Sequence, residues 1–317
     1  MRLLVTGANG FIGRATCARL ASGGMDVVAA IRRRTTALPA GVSPMVVGEL
    51  HADTPWDASL RGVTGVIHLA ARVHVTDDRA RDPLDEFRRV NVEGTVRVAH
   101  RAAQAGVTRF VFVSSVKVHG EQRAAPYTEH DVPAPADAYA QSKWEAEQAL
   151  REIERETGME VAIVRPPLVY GPGVRANFLS LLEAVHKRIP LPLGLVRNRR
   201  SLIFVGNLAD ALAQCVTHSN GAGRTFLVSD GEDVSTASLI RHLADAMHTR
   251  AILLPVPVGI LRMTARLTGK GDAMTRLVSS LSVDSRDIRD RLDWRPPFSL
   301  REGLAATVAD FLDSRAH

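Results

Sequence analysis

The chain predicts an α/β fold: a doubly wound parallel sheet with a smaller, mostly helical C-terminal unit. Three observations carry this. Short, nearly all-apolar, β-branched runs alternate with longer helical stretches through the first half. A glycine-rich turn follows the first run at once. After Arg165 the alternation gives way to Pro166, Pro167, Pro172, Pro190 and Pro192, and the helical pattern becomes irregular. Apolar runs of this kind suit parallel strands buried on both faces. Strand–helix–strand alternation implies right-handed crossovers.

In order, the predicted strands are Leu3 to Thr6, Val27 to Ile31, Met45 to Val47, Val66 to Ala70, Arg109 to Ser114 and Val161 to Arg165. Helical patterns lie between them at Gly13 to Ser22, Asp82 to Ala105 and Ala138 to Thr157, the last with Asp137 placed to cap it. Thr225 to Val228 reads as one more strand returning to the main sheet. From Ser235 onward the chain is mostly helical, ending in Leu300 to Ser314. Residues 1–165 therefore form one predicted domain and 166–317 mainly a second, with part of 198–230 returning to the first.

Bulk properties exclude several classes. The 317 residues are 45% hydrophobic and 23% charged with a mean hydropathy of −0.01, as in a globular protein. The N-terminus runs straight into the glycine turn, without a secretory signal pattern. The most apolar stretch, Ile252 to Leu267, is interrupted by Pro255, Pro257, Arg262 and Arg266 and reads as an amphipathic surface or lid helix. Cys17 and Cys215 have no metal-type spacing, so no zinc site or disulfide framework is expected, and a reducing cytoplasm is. The net charge of +6 comes from scattered basic residues with tight clusters only at Arg32–Arg34 and Arg197–Arg200. No nucleic-acid-binding motif accompanies them, and small phosphorylated ligands explain two clusters better than a polymer does.

Gly7, Gly10 and Gly13 lie between a strand and a helix, a context that allows a tight turn and close approach of backbone to a pyrophosphate. The phosphates would face the N–H groups and positive dipole end of the helix. The second strand ends not in the acidic residue that takes a ribose 2′-hydroxyl but in Arg32, Arg33 and Arg34. Guanidinium groups match a 2′-phosphate, so NADP(H) is favoured, with NAD(H) the alternative. Glu49 is placed to accept from the adenine amino group.

Tyr139 and Lys143, four residues apart, share one face of a predicted helix. A tyrosine of ordinary pKa, about 10, is a poor base at neutral pH. A neighbouring ammonium favours its phenolate. Ser114 and Ser115 close a separate buried strand, where a hydroxyl can orient the reacting oxygen.

These motifs together resemble the extended short-chain dehydrogenase/reductases, the NAD-dependent epimerase/dehydratase family that includes UDP-glucose 4-epimerases. The resemblance rests on Thr6–Gly13, His68–Ala71, Asn91–Thr95, Ser114–Gly120, Tyr139–Lys143 and Arg165–Pro172. It implies a Rossmann-type fold, a homodimer and a UDP-sugar substrate. It assigns Ser115, Tyr139 and Lys143 as catalytic. Cofactor contacts fall to Gly7, Asn9, Gly10, Phe11, Ile12 and Gly13 in the turn, and to Arg32, Arg33, Glu49 and Leu50. Further contacts fall to Leu69, Ala70, Ala71, Asn91, Ser114 and Pro166, besides Tyr139 and Lys143. Asn177, Arg200 and, more weakly, Arg276 resemble residues that hold the substrate diphosphate.

Val116 and Lys117 stand where the family's 4,6-dehydratases carry an acidic pair, which argues against a dehydratase. Lys117 is instead expected to add positive charge to the pocket. The arginines after the second strand favour a 4-ketoreductase acting on a UDP-4-keto-6-deoxy-(N-acetyl)hexosamine in surface polysaccharide assembly. The alternatives are a UDP-glucose or UDP-N-acetylglucosamine 4-epimerase and a non-catalytic NADP-sensing module. Retained Ser115, Tyr139 and Lys143 weigh against the module. His68 reads as a packed structural histidine, and Trp144 and Trp294 as packing residues.

Overall fold

The computed structural model describes residues 1–35, 38–73, 83–267 and 271–316. The first six strands are β1 (Arg2–Thr6), β2 (Asp26–Ile31), β3 (Val42–Val46), β4 (Gly65–His68), β5 (Arg109–Val113) and β6 (Glu160–Arg165). Later come β7 (Leu168–Tyr170), β8 (Arg200–Phe204), β9 (Thr225–Leu227) and β10 (Asp233–Val234). The main sheet has the order β3-β2-β1-β4-β5-β6-β9, and every pairing in it is parallel. The order reverses at β1, so the crevice beyond the carboxyl ends of β1 and β4 is where a doubly wound sheet binds its ligand.

Helices cover both faces. α1 (Phe11–Ser22) begins at the glycine turn. α2 (Pro83–Arg88) runs through a π-helical turn, Arg89–Glu93, into α3 (Gly94–Gln104). The helical pattern expected from Asp82 is thus one helix with a wider turn inside it, Asp82 itself lying outside the described residues. α4 (Ala138–Thr157) has the predicted bounds for local reasons. Asp137 accepts from Ala140 N at 2.7 Å to cap it, and Gly158, at φ 72°, ends it in the left-handed region. Leu150 and Ile153 of α4 pack with Val98 and Ala102 of α3 under one face of the sheet. α5 (Ala176–His186) and α6 (Val205–Thr217) follow, and Leu208, Leu212 and Val216 of α6 join Cys17 and Leu20 of α1 under the other face. Each such fully buried aliphatic side chain contributes about 1.5–3 kcal/mol of burial.

The remaining helices are α7 (Thr236–Ala246), α8 (Val258–Leu267), α9 (Gly271–Val278), α10 (Arg286–Leu292) and α11 (Leu300–Ala316). Two features were not anticipated. β10, β8 and β7 form a separate three-stranded sheet, whose Tyr170, Leu202 and Phe204 pack with α5, α7 and α11 in a second core. The stretch before α8 is extended rather than helical. Leu253 bridges to Leu191, and Leu254 N donates to Leu191 O at 2.8 Å, so the helix starts only at Val258.

Candidate active site

The glycine turn is as tight as the spacing requires. Gly7 has φ +64°, and a Cβ there would lie 2.9 Å from Ala70 N. A Cβ on Gly13 would lie 2.1 Å from Gly7 O. α1 therefore sits directly on the turn, and the turn directly on the loop after β4, which brings Gly7, Gly13, Leu69 and Ala70 together. Gly10 begins α1 without a side-chain cap, so the first N–H groups of the helix have no capping side chain from that residue. Ser114, at the end of β5, has a buried Oγ with no hydrogen-bond partner among the described residues. A cradle that any Cβ would fill, beside an orphaned hydroxyl, fits a dinucleotide.

Arg32 and Arg33 are exposed at the carboxyl end of β2, and Glu49 is exposed after β3. Leu50 packs against the backbone of Gly94, where a Cβ would meet its Cγ at 2.5 Å. Phe11, Ile12 and Ala71 are half-buried, whereas Pro166 is buried, with its carbonyl accepting from Val116 N at 3.0 Å.

Beneath the cradle runs a closed chain of hydrogen bonds around His68. Thr95 Oγ1 donates to Asn91 O at 2.7 Å, so it accepts from His68 Nε2 at 3.0 Å. His68 Nδ1 then accepts from Thr6 Oγ1 at 2.8 Å, whose oxygen accepts the N–H groups of Leu69 and Ala70, each at 3.1 Å. Every hydroxyl in this chain donates once and accepts at least once, which fixes the imidazole neutral with its proton on Nε2. Burial, with the Lys143 charge adding to it, pushes His68 down to about 3. The histidine is structural, as the sequence reads, and it shapes the loop against which the glycine turn packs.

Asn91, expected among the cofactor contacts, has its amide engaged on both sides within the protein. Oδ1 accepts from Arg72 N at 2.8 Å, while Nδ2 donates to Arg72 O and to Ser142 Oγ, both at 3.0 Å. Asn91 lies in the π-helical turn, a feature frequent at functional sites, and it ties the loop after β4 to α4. Ser142 Oγ donates in turn to Tyr139 O at 2.8 Å.

Ser115 follows β5 and heads the 3₁₀ turn Val116–His119, where its Oγ accepts from Lys117 N at 3.2 Å. That leaves the Ser115 O–H to donate elsewhere. Lys117, expected to add positive charge to the pocket, has its ammonium paired within the protein. Nζ donates to Asp137 at 2.6 Å and to Glu121 at 2.7 Å. Burial works against the charge, but the two carboxylates outweigh it and hold the pKa above the ordinary lysine value. Asp137 also caps α4, so one carboxylate binds the turn carrying Ser115 to the helix carrying Tyr139.

Tyr139 is half-buried, its ring edge-on to Phe87 at 6.1 Å. Burial, and then the Asp137 carboxylate, raise its pKa, so the phenol is protonated in the ligand-free protein. One turn along, Lys143 is 2% exposed, with Nζ 4.2 Å from the centre of the Phe112 ring. Burial lowers its pKa to about 7, with Glu147 opposing the fall. Glu147 is one turn further on the same face, in a buried ion pair with Arg165, which also donates from Nη1 to His119 Nε2 at 2.8 Å. Glu147 and Arg165 carry no obvious sequence signal as a pair. Only the four-residue step from Tyr139 to Lys143 to Glu147 marks the former. His119 stacks on Tyr127 at 5.3 Å.

On the other side of the crevice, Asn177 is exposed in the first turn of α5, next to Ala176 at φ 53°. Arg200, at the start of β8, donates from Nη1 to Arg276 O at 2.6 Å and to Ser279 O at 3.2 Å. The two expected phosphate-binding arginines are thus held in one cluster, linked through backbone. Burial lowers the Arg200 pKa, with Glu121 opposing. Trp294 is a packing residue that also donates to Asp210 at 3.0 Å.

A parallel seven-stranded sheet with this glycine cradle, this Tyr139–Lys143 helix and this strand-end serine defines an NAD-dependent enzyme of the Rossmann type. The model of the NAD dependent epimerase/dehydratase family matches residues 3–229, and the chain belongs to that family. It is 41% identical to a UDP-glucose 4-epimerase of Vibrio cholerae, over 98% of this chain and 96% of that protein. A UDP-glucose 4-epimerase of Mycolicibacterium smegmatis is 31% identical over 98% of both chains. Among solved structures, MoeE5 in complex with UDP-glucuronic acid and NAD superposes with a TM-score of 0.80 at 27% identity, over 99% of this chain and 100% of the other.

Proposed function

We propose that the chain is a UDP-hexose 4-epimerase that works with NAD, residues 1–165 holding the dinucleotide and 166–317 mainly the sugar nucleotide. Lys143, buried on the same helix face as Tyr139 and carrying a pKa near neutrality, is the observation behind the C4 chemistry. The full-length likeness to two UDP-glucose 4-epimerases supports epimerisation over one-way reduction.

The bound nicotinamide supplies the hydride acceptor and donor. Tyr139 takes the proton of the C4 hydroxyl and returns it, which requires its phenolate to be reached from the raised resting pKa. The Lys143 ammonium lowers that cost when it is charged, and burial makes its field strong. Ser115, its oxygen already accepting Lys117 N–H, donates a hydrogen bond from its hydroxyl to the same sugar oxygen and keeps its proton. Arg200, Arg276 and Asn177 hold the diphosphate side.

A second reading, the NADPH-dependent 4-ketoreductase, draws support from Arg32 and Arg33, exposed where an adenine-ribose 2′-phosphate would lie. Identifying the nucleotide released on denaturing the purified protein separates the two. Retained NAD is expected for the epimerase, together with interconversion of UDP-glucose and UDP-galactose. Preferential binding of NADPH that Arg32→Ala/Arg33→Ala weakens about tenfold or more, with NADH binding unchanged, would replace it with the reductase.

A further inference from the structure

The outward surface of α8 reverses the usual pattern of a surface helix. Leu261 and Ala265 are buried, Leu261 in the second core. The pole opposite them should be polar. It carries instead Ile260, Met263 and Leu267, which are 49%, 58% and 82% exposed. Arg262 and Arg266 lie along one flank of this apolar face, both exposed. Exposed apolar residues also precede the helix. Ile252 and Leu254 are exposed in the extended stretch that hydrogen-bonds to Leu191 and Gly194, which places Ile189 and Leu195, also exposed, beside them.

Charge identifies what covers this face. Between Asp245 and Asp272 the sequence holds no acidic residue, while Arg250, Arg262 and Arg266 lie within the same span. In a two-fold pairing through this face each copy would bring the same arginines to the other, with no carboxylate in the segment to meet them. An apolar pole beside arginines instead matches the boundary between anionic headgroups and acyl chains. α8 has ten residues, about 15 Å of helix, and no described helix is long and apolar enough to cross a membrane. Contact would therefore lie in the plane of the interface.

We propose that the face formed by α8 and the extended stretch before it docks the protein on an anionic lipid surface, with Ile260, Met263 and Leu267 entering the interface and Arg262 and Arg266 at the headgroups. This is independent of which C4 reaction the active site performs.

The test is co-sedimentation with vesicles of phosphatidylethanolamine, with and without phosphatidylglycerol. The full chain is expected to partition at least about tenfold more strongly onto the anionic vesicles, and less so in high salt. Met263→Ser/Leu267→Ser should lower that partition about tenfold, with thermal midpoint and retained cofactor unchanged. Arg262→Gln/Arg266→Gln should lower it while abolishing its salt dependence. Absence of binding by the unmodified chain, or equal binding by both double variants, would overturn the proposal. So would a concentration-dependent dimer that Met263→Ser/Leu267→Ser dissolves, which would give the face to a second copy.

Discussion

The two sides of the crevice are held by different means. On the β1–β6 side the residues around the reacting centre are fixed by short links, Asn91 to Ser142 and Thr6 to His68 to Thr95 buried, and Lys117 to Asp137 half-buried. On the other side, Arg200 and Arg276 owe their proximity to strand pairings across long stretches of chain. Arg200 bridges to Leu281, Ser201 N donates to Leu281 O at 3.0 Å, and Tyr127 bridges to Val283. The first side sets the protonation states of a few atoms. The second carries the residues proposed to hold the substrate, and its details depend on segments about eighty or more residues apart.

That contrast makes its largest prediction at Tyr139. Tyr139→Phe keeps the helix, its cap and the cradle while removing the proposed proton donor and acceptor. Turnover should fall by about 10²–10⁴-fold with cofactor retention unchanged. Loss of cofactor in this variant would mean that the two tasks on this side are not separable.

Lys143→Met probes the burial of a charge on the same side. A lysine whose folded pKa is about 7, far below its unfolded value of about 10.4, is destabilising when charged. The cost is fully present below pH 7. It declines as pH rises from there toward 10.4, because the folded state has already released a proton that the unfolded state still holds. Urea unfolding of the cofactor-free protein should therefore show Lys143→Met more stable than the parent by a few kcal/mol at pH 6, with the gain shrinking toward pH 10. A pH-independent difference would show that Lys143 is not buried as a charge.

Arg200→Met tests the opposite side, with a smaller effect. Losing donors to the carbonyls of Arg276 and Ser279 should cost about 1–3 kcal/mol of stability. It should raise KM for the nucleotide sugar while kcat changes less than in Tyr139→Phe. A fall in kcat as large as that of Tyr139→Phe would erase the division between the two sides.

How much of this was legible follows from the range of the forces. β1, β2, β5 and β6 lie within a residue of their predicted bounds because buried parallel strands are written as continuous apolar runs. α4 was legible because Asp137 and Gly158 are local signals. β7 and β10, three and two residues long, carry no periodicity, and their sheet exists only through pairing with β8. The pairing of Lys117 was not legible because the sequence does not show that Asp137, twenty residues on, folds against it.

The sequence by itself determined the parallel sheet, the glycine turn and the placing of Tyr139 and Lys143 on one helix face, since each depends on spacing or on side-chain size within a few residues. Only the tertiary structure decided which polar groups were already spoken for. Asn91 and Lys117 turned out to be engaged by the protein, the Ser114 hydroxyl was left without a partner among the described residues, and His68 was locked into one tautomer. Hydrogen-bond satisfaction in a buried site is a property of all the elements that meet there, and no single segment contains it.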